Sequence, residues 1–225
     1  MRSKRYQEIK KIIDSKKEYT IEEAIEIIKK ASGCAFDESI EVHLKLGIDP
    51  KKSEQAVKGS VILPYGDFYK KKIAAFVEPE KEKEAKEGGA DIVGGKDLIE
   101  KIKAGEKIDF DIAVASVGIM NELLKIAKIL GPKGLMPSPK TGTLTQNIKE
   151  TIRELKKGKI SFKNDEGGNI HQIIGKISWD KEKIIANFKS FIEAVRKAKP
   201  HKIKGIFIKN VTLCSTMGPG IKIKI

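Results

Sequence analysis

Apolar residues change their spacing from one segment of this chain to the next. Ile21, Ala24, Ile25, Ile28 and Ala31 fall on one helical face behind a Thr20–Glu23 capping box, so the pattern predicts a helix over 21–32. In 38–46, Ile40, Val42, Leu44 and Leu46 alternate with Glu41, His43 and Lys45, which is the period of a strand buried on one face. A second short strand is expected at 59–63, after the Asp49-Pro50 turn, and Pro64-Tyr65-Gly66 stops it.

The alternation then gives way to continuous apolar runs. Ile73-Ala74-Ala75-Phe76-Val77 and Asp111-Ile112-Ala113-Val114-Ala115 are each followed by a helix-period stretch, as strands buried on both faces require. With Asp91-Ile92-Val93 between them, and helices expected at 80–87, 96–104, 118–129 and 146–157, the order reads βαβαβα. Beyond Gly158 the alternation returns. The segments 159–163 and 169–174 flank Asn164-Asp165-Glu166-Gly167-Gly168 and read as an antiparallel hairpin. Asp180 is expected to cap a long helix striped with Ile184, Ile185, Phe188, Phe191, Ile192 and Val195. Strands at 205–213 and 221–225 follow, joined by Thr216-Met217-Gly218-Pro219-Gly220. The pattern reads as α/β in 67–158, a small doubly wound parallel sheet, between outer segments 1–66 and 159–225 of α+β character with antiparallel strands. If the outer segments pack together, 67–158 is an inserted domain. Glycines where the pattern switches, at Gly66 and Gly158, mark a two-strand hinge.

Charge sharpens this division. The chain carries 45 Lys+Arg against 31 Asp+Glu, a net of +14, and 1–66 with 159–225 hold +11 of it. A polyanion is the natural partner, and most of the attraction belongs to the discontinuous domain. Forty per cent hydrophobic residues over 225 positions is enough for a packed core, which excludes a disordered basic tail. No stretch reaches the roughly eighteen apolar residues of a membrane span, and Met1-Arg2-Ser3-Lys4-Arg5 does not open a signal peptide, so a cytoplasmic protein is expected. Cys34 and Cys214 stand far apart, without partners at metal-ligand spacing, so neither a disulfide framework nor a zinc site is expected.

Catalytic and cofactor signals are weak. Gly89-Ala90-Asp91-Ile92-Val93-Gly94-Gly95-Lys96-Asp97 has the look of a phosphate loop but places Ala90 where its first glycine belongs and Asp97 where Ser or Thr would hold Mg²⁺. No GxGxxG follows the 73–77 strand. His43, His171 and His201 are isolated in sequence; His43 is expected to be solvated, while His171 suits either RNA contact or plain exposure. No cofactor, metal or catalytic residue is assigned. A nucleotide-binding enzyme on the parallel domain and a basic DNA-binding module are the alternatives, and no helix-turn-helix or zinc-finger signature supports the second.

The most distinctive stretch is 130–143, Leu-Gly-Pro-Lys-Gly-Leu-Met-Pro-Ser-Pro-Lys-Thr-Gly-Thr, a rigid loop rich in proline and glycine. It resembles the signature of the large-subunit ribosomal protein L-one family. Further matches lie in Phe36-Asp37-Glu38-Ser39, in 42–50, in Gly88-Gly89-Ala90-Asp91 with Val93-Gly94-Gly95, and in Thr216-Met217-Gly218-Pro219, so the resemblance spans nearly the whole chain. It implies two domains, a discontinuous α+β domain from 1–66 and 159–225 and an inserted Rossmann-like parallel α/β domain over 67–158 without nucleotide, in a protein of the mobile ribosomal stalk, without catalysis, that binds large-subunit rRNA. It also implies repression of its own operon by binding that operon's mRNA, assistance to release of exit-site tRNA, and a monomer when free. Phe36, Ser39, Thr216, Met217 and Gly218 would form the core of the RNA contact, with Lys163, His171 and Asn210 as weaker candidates. Hydroxyls of Ser39 and Thr216 suit 2′-OH or phosphate groups, Gly218 permits close backbone approach, and Phe36 and Met217 can pack on ribose or base faces. The chain departs from the family pattern at Ala35, where Lys is frequent, and at Asn210, where Ser or Thr is common.

Overall fold

The computed structural model describes residues 4–14, 17–50, 52–66, 71–105, 108–200, 203 and 205–224. Helices α1 (Lys4–Ile12) and α2 (Ile21–Ala31) precede strands β1 (Ser39–Leu46) and β2 (Lys58–Ile62). Then come β3 (Ile73–Phe76), α3 (Glu82–Gly88), β4 (Ile92–Gly94), α4 (Lys96–Lys103), β5 (Ile112–Ala115), α5 (Met120–Leu123), α6 (Ala127–Leu130) and α7 (Ile148–Lys156). The remaining elements are β6 (Lys159–Lys163), β7 (Asn169–Lys176), α8 (Lys181–Lys197), β8 (Ile208–Ser215) and β9 (Ile221–Ile223). This is a mixed α/β protein with several sheets, and the chain forms two compact units, Met1–Phe68 with Ser161–Ile225 and Tyr69–Ile160.

In the first unit, four antiparallel strands lie in the order β7-β1-β8-β9. Alternation in β1 buries Ile40, Val42, Leu44 and Leu46 on one face, beside Val211 and Leu213 of β8 and Ile221 and Ile223 of β9. Helices α2 and α8 pack on this sheet, and the reason is legible in each. The Thr20 hydroxyl accepts the Glu23 N–H at 3.3 Å while the Glu23 carboxylate accepts the Thr20 N–H at 3.0 Å, so two orphan donors are satisfied and α2 can bury Ala24, Ile25 and Ile28. Helix α8 buries Ile184, Phe188, Phe191, Ile192 and Val195, as its stripe predicts, with Ile185 at the edge of it. It also buries Asn187. That amide donates to the carbonyls of Tyr65 and Ile174 at 2.9 and 2.8 Å and accepts the Tyr65 N–H at 3.0 Å, tying two segments to one helix.

In the second unit, β3 pairs in parallel with β4 on one side and β5 on the other. Alternate β3 residues serve different cores. Ala74 and Phe76 pack with Ile99, Ile102, Leu123 and Ile126, while Ile73, Ala75 and Val77 pack with Ala85, Ile148, Ile152 and Leu155. A strand covered on both faces has no polar position to offer, which is why its sequence is an unbroken apolar run. The 130–143 loop is fastened to this sheet. Ala115 donates to Thr143 O at 2.9 Å and accepts from Thr145 N at 3.1 Å, while Leu135 and Met136 pack against the core.

Three expectations are corrected. The segments 159–163 and 169–174 do not form a hairpin: β6 joins β2 in a separate two-stranded sheet and β7 joins β1. Val57 and Asn164 hold each other through Asn164 N to Val57 O at 3.1 Å and Val57 N to Asn164 Oδ1 at 2.8 Å, so the turn carries the chain from one sheet to the other. The helix expected at 118–129 is interrupted, because Leu124–Ile126 winds as a 3₁₀ turn between α5 and α6. That tighter winding brings Leu123 and Ile126, three residues apart, over one another, and both are fully buried. Asp180 stands at the N-cap of α8 without capping it; its carboxylate meets Lys183 Nζ at 3.2 Å instead. The expected strands 205–213 and 221–225 are observed as β8 and β9, and Ile225, like His201, lies outside the described residues.

Candidate nucleic-acid interface

The head of β1 and the end of β8 meet because the two strands are antiparallel, with Ile40 opposite Ser215. This register brings Phe36, Ser39, Thr216, Met217 and Gly218 to one corner. Thr216 holds the Ser39 backbone through its own N–H, donated to Ser39 O at 3.1 Å, and through its hydroxyl, which accepts Ser39 N–H at 3.0 Å. Met217 N–H donates to the buried Glu38 carboxylate at 3.2 Å, and Gly218 N–H closes the turn on Ser215 O at 3.1 Å. A Cβ at Gly218 would sit 2.5 Å from Ser215 Oγ, so a side chain there would have to displace that hydroxyl. With the backbone so fixed, Phe36 and Met217 remain 55% and 53% exposed.

Lys176, opposite Ser39 in the β1–β7 ladder, adds a cation. Its Nζ donates to Ser39 Oγ at 2.9 Å and to Asp37 O at 3.3 Å. Asp37 in turn accepts the Ser178 N–H and hydroxyl at 3.2 and 2.9 Å. Lys176 does not stand out in sequence, and Glu38, though inside the Phe36–Ser39 motif, is not marked there as a partner. Only the strand register brings Lys176 to Ser39, and only the fold buries Glu38 under the Met217 amide.

The weaker candidates lie apart from this corner. His171 faces His43 four residues along β1, about 13 Å away at the usual rise per residue, and Asn210 faces Lys45 two residues further. Lys163 is exposed on β6, in the other sheet.

His43 is half-buried where full solvation is expected, and His43 and His171, isolated in sequence, meet in space. His43 Nδ1 lies 2.7 Å from His171 Nδ1, and His43 Nε2 lies 3.0 Å from Cys214 Sγ. Burial, then the neighbouring His171, holds His43 below its usual range, so the ring is neutral near pH 7. Burial, helped by Glu41, pushes the Cys214 thiol up to about 11. At the adjoining turn, Asp165 accepts the Asn169 N–H at 2.6 Å and the Asn169 amide at 3.0 Å, with His171 Nε2 at 3.3 Å. These bonds, the Asn169 side chain first, hold its carboxyl down at about 2.

A cleft of 440 Å³ at the end of β4 takes in Gly94 and Gly95, the stretch that looks like a phosphate loop. Among the described residues, carboxylates of Glu82, Asp97 and Asp109 line it beside the ammonium of Lys101, so the described lining carries more negative than positive charge.

The model of the ribosomal protein L1p/L10e family matches residues 26–219. The chain is also 48% identical, over 99% of its length and 96% of the relative's, to the large ribosomal subunit protein uL1 of Kosmotoga olearia. Agreement on this scale places the chain among structural ribosomal proteins, which are not enzymes. It belongs to the ribosomal protein L1p/L10e family, of which RNA binding is a general property. Among the described residues no helix is long and apolar enough to cross a membrane.

Proposed function

We propose that this chain binds large-subunit rRNA through the corner of Phe36, Ser39, Thr216, Met217 and Gly218, with Lys176 beside it and His171, Asn210 and Lys163 as outlying contacts. The observation that carries the reading is a pair of large apolar side chains, Phe36 and Met217, each more than half exposed on segments that are hydrogen-bonded to one another. A folded protein gains nothing by fixing such groups in water, whereas flat ribose and base faces cover them well. Hydroxyl and ammonium groups next to them suit 2′-OH and phosphate. Segments 1–66 and 159–225 are the rRNA-binding domain in this reading, consistent with their net charge of +11. Segment 67–158 is the inserted Rossmann-like domain.

The same surface binds a mimic of the rRNA element in the mRNA of the chain's own operon and so represses translation. On the ribosome the chain belongs to the mobile stalk and assists release of deacylated tRNA from the exit site; free, it is a monomer. Support comes from family membership and from the name of the 48% identical relative, a protein of the large ribosomal subunit. Equilibrium binding of the full chain to large- and small-subunit rRNA, each with excess unrelated duplex RNA, tests it. Saturable binding to large-subunit rRNA that the operon leader displaces is the expected result. Equal affinity for both rRNAs would overturn the reading.

A further inference from the structure

Away from the corner, the polar face of the four-stranded sheet gathers donor atoms that neither the fold nor the RNA reading uses. We propose that Glu41, His43 and Cys214 form a binding site for a borderline-soft divalent metal ion of the Zn²⁺ class. None of the three ligands is among the RNA contacts proposed above; only the neighbouring His171 is shared with that reading.

The register creates the site. Glu41 lies directly opposite Cys214 in the β1–β8 ladder, and His43, two residues on, projects from the same face. The three side chains offer a carboxylate oxygen, an imidazole nitrogen and a sulfur within 4.8 Å of one another. His43 Nε2 is 3.0 Å from Cys214 Sγ and 4.0 Å from Glu41 Oε2. Tetrahedral Zn²⁺ with N, O and S ligands needs donor separations of about 3.3–3.5 Å, so small side-chain rotations suffice to close the set on an ion. The side chains of His43 and Glu41 are 30% and 31% exposed, which leaves a path for entry and a fourth position for water.

Donor chemistry selects the ion. A sulfur ligand disfavours Mg²⁺ and Ca²⁺, which take oxygen, and one nitrogen, one sulfur and one carboxylate oxygen suit Zn²⁺. As the metal–sulfur bond forms, the thiol proton leaves to solvent.

A second layer of contacts supports the same assignment. With the metal on His43 Nε2, the His43 proton resides on Nδ1, 2.7 Å from His171 Nδ1, which accepts it. The His171 proton then resides on Nε2, facing Asp165 Oδ2 at 3.3 Å. The chain Asp165–His171–His43 thus fixes one tautomer of the ligand and aims its lone pair at Cys214 and Glu41, as a carboxylate behind a metal-bound histidine does. His171 is a positioning residue here, not a ligand.

Titrating the reduced, metal-free full chain with Co²⁺, a spectroscopic stand-in for Zn²⁺, tests the proposal. One Co²⁺ per chain should bind with the near-ultraviolet charge-transfer band of a cobalt–thiolate bond, and Zn²⁺ should displace it. Cys214→Ser should abolish the band and Cys34→Ser should keep it. His171→Ala should retain the band with affinity weakened about 10–100-fold, the usual cost of losing an outer contact. Glu41→Gln, at a partly exposed position that the fold tolerates, should weaken binding at least about tenfold and reads the same site if Cys214→Ser does not fold. Absence of saturable binding, a band that survives Cys214→Ser or is lost with Cys34→Ser, or wild-type affinity in Glu41→Gln would each overturn the site.

Discussion

The hydroxyl of Thr216 holds the backbone of Ser39 from both sides, accepting its N–H at 3.0 Å and donating to its carbonyl at 3.4 Å. Its single proton is therefore spent inside the protein, and only a lone pair is left for RNA. Thr216 is first a clasp between the β8 end and the β1 head. Thr216→Val removes both bonds and keeps the shape, so stability should fall by about 0.5–1.5 kcal/mol. Thr216→Ser should restore it, and urea unfolding of the three proteins decides the point. Because the clasp positions Met217, rRNA affinity should fall at least about tenfold in the Val variant, beyond what its unfolded fraction explains.

Phe36 and Met217 should behave in the opposite way. Both are more than half exposed, so truncation to Ala should change stability by less than about 0.5 kcal/mol. Each base face they cover is worth about 1–3 kcal/mol, so each variant should lose about tenfold or more in rRNA affinity. Phe36→Tyr should keep most of it. Calorimetry for stability and filter binding for affinity separate the two effects, and unchanged affinity in Phe36→Ala removes that side chain from the interface.

Salt should act strongly on the same complex. A net of +11 on segments 1–66 and 159–225 means that several lysines neutralise phosphates at once and release their counterions. The dissociation constant should rise about a hundredfold or more between about 50 and 200 mM salt, linearly on a double-logarithmic plot. A flat titration would show that the charge is not engaged.

Asp165 gives a pH signature. Its carboxyl is held at about 2 in the folded chain against an ordinary 3.8, so its contribution to stability is complete above the higher value and fades as pH falls toward the lower one. Asp165→Asn lacks the charge at every pH. The stability gap between it and the wild type should therefore narrow between about pH 5 and pH 3, as read from urea midpoints. A gap that widens in acid would refute the assignment.

How much of this could be read along the chain depended on where the information lies. The alternation through Ile40, Val42, Leu44 and Leu46 and the unbroken run from Ile73 to Val77 state each strand's burial in its own residues, so those strands were legible. Partner choice is a non-local property. The Asn164–Gly168 turn closes as a hairpin turn does, but β6 pairs with β2, about a hundred residues earlier, in another sheet, and Val57 anchors Asn164 beside it. The same limit hid the His43–His171–Cys214 cluster, whose members are separated by 128 and 171 residues and meet only through register. At the corner, Phe36, Ser39 and Thr216–Gly218 came from family resemblance, since no periodicity distinguishes them from turn residues. Lys176 reaches the corner only through strand register, and Glu38 meets the Met217 amide only once the fold buries it.

Asn187 offers the strongest test of what holds the first unit together. It is fully buried on α8, and its amide satisfies three backbone groups: the N–H and C=O of Tyr65 and the C=O of Ile174. Asn187→Ala removes all three bonds, leaving the Ile174 carbonyl in a buried site and the two Tyr65 groups at a partly buried one. At about 1–3 kcal/mol for an unsatisfied buried group, with water relieving part of the cost at Tyr65, the loss should be about 2–3 kcal/mol. Asn187→Asp distinguishes lost hydrogen bonds from lost volume. Its shape is the same and one oxygen can still accept the Tyr65 N–H, but at neutral pH the other faces two carbonyl oxygens with a buried negative charge. Its folded pKa must therefore rise above the unfolded value of about 3.9, and the native state binds the proton more tightly. Stability of the Asp variant should thus increase as pH falls from about 7 toward 5, the reverse of the Asp165 effect, because the protonated acid can donate to one carbonyl. The Ala variant should show no such recovery beyond that of the wild type. Urea midpoints for the three proteins at both pH values make the comparison, and wild-type stability in Asn187→Ala would show that the amide holds nothing in place.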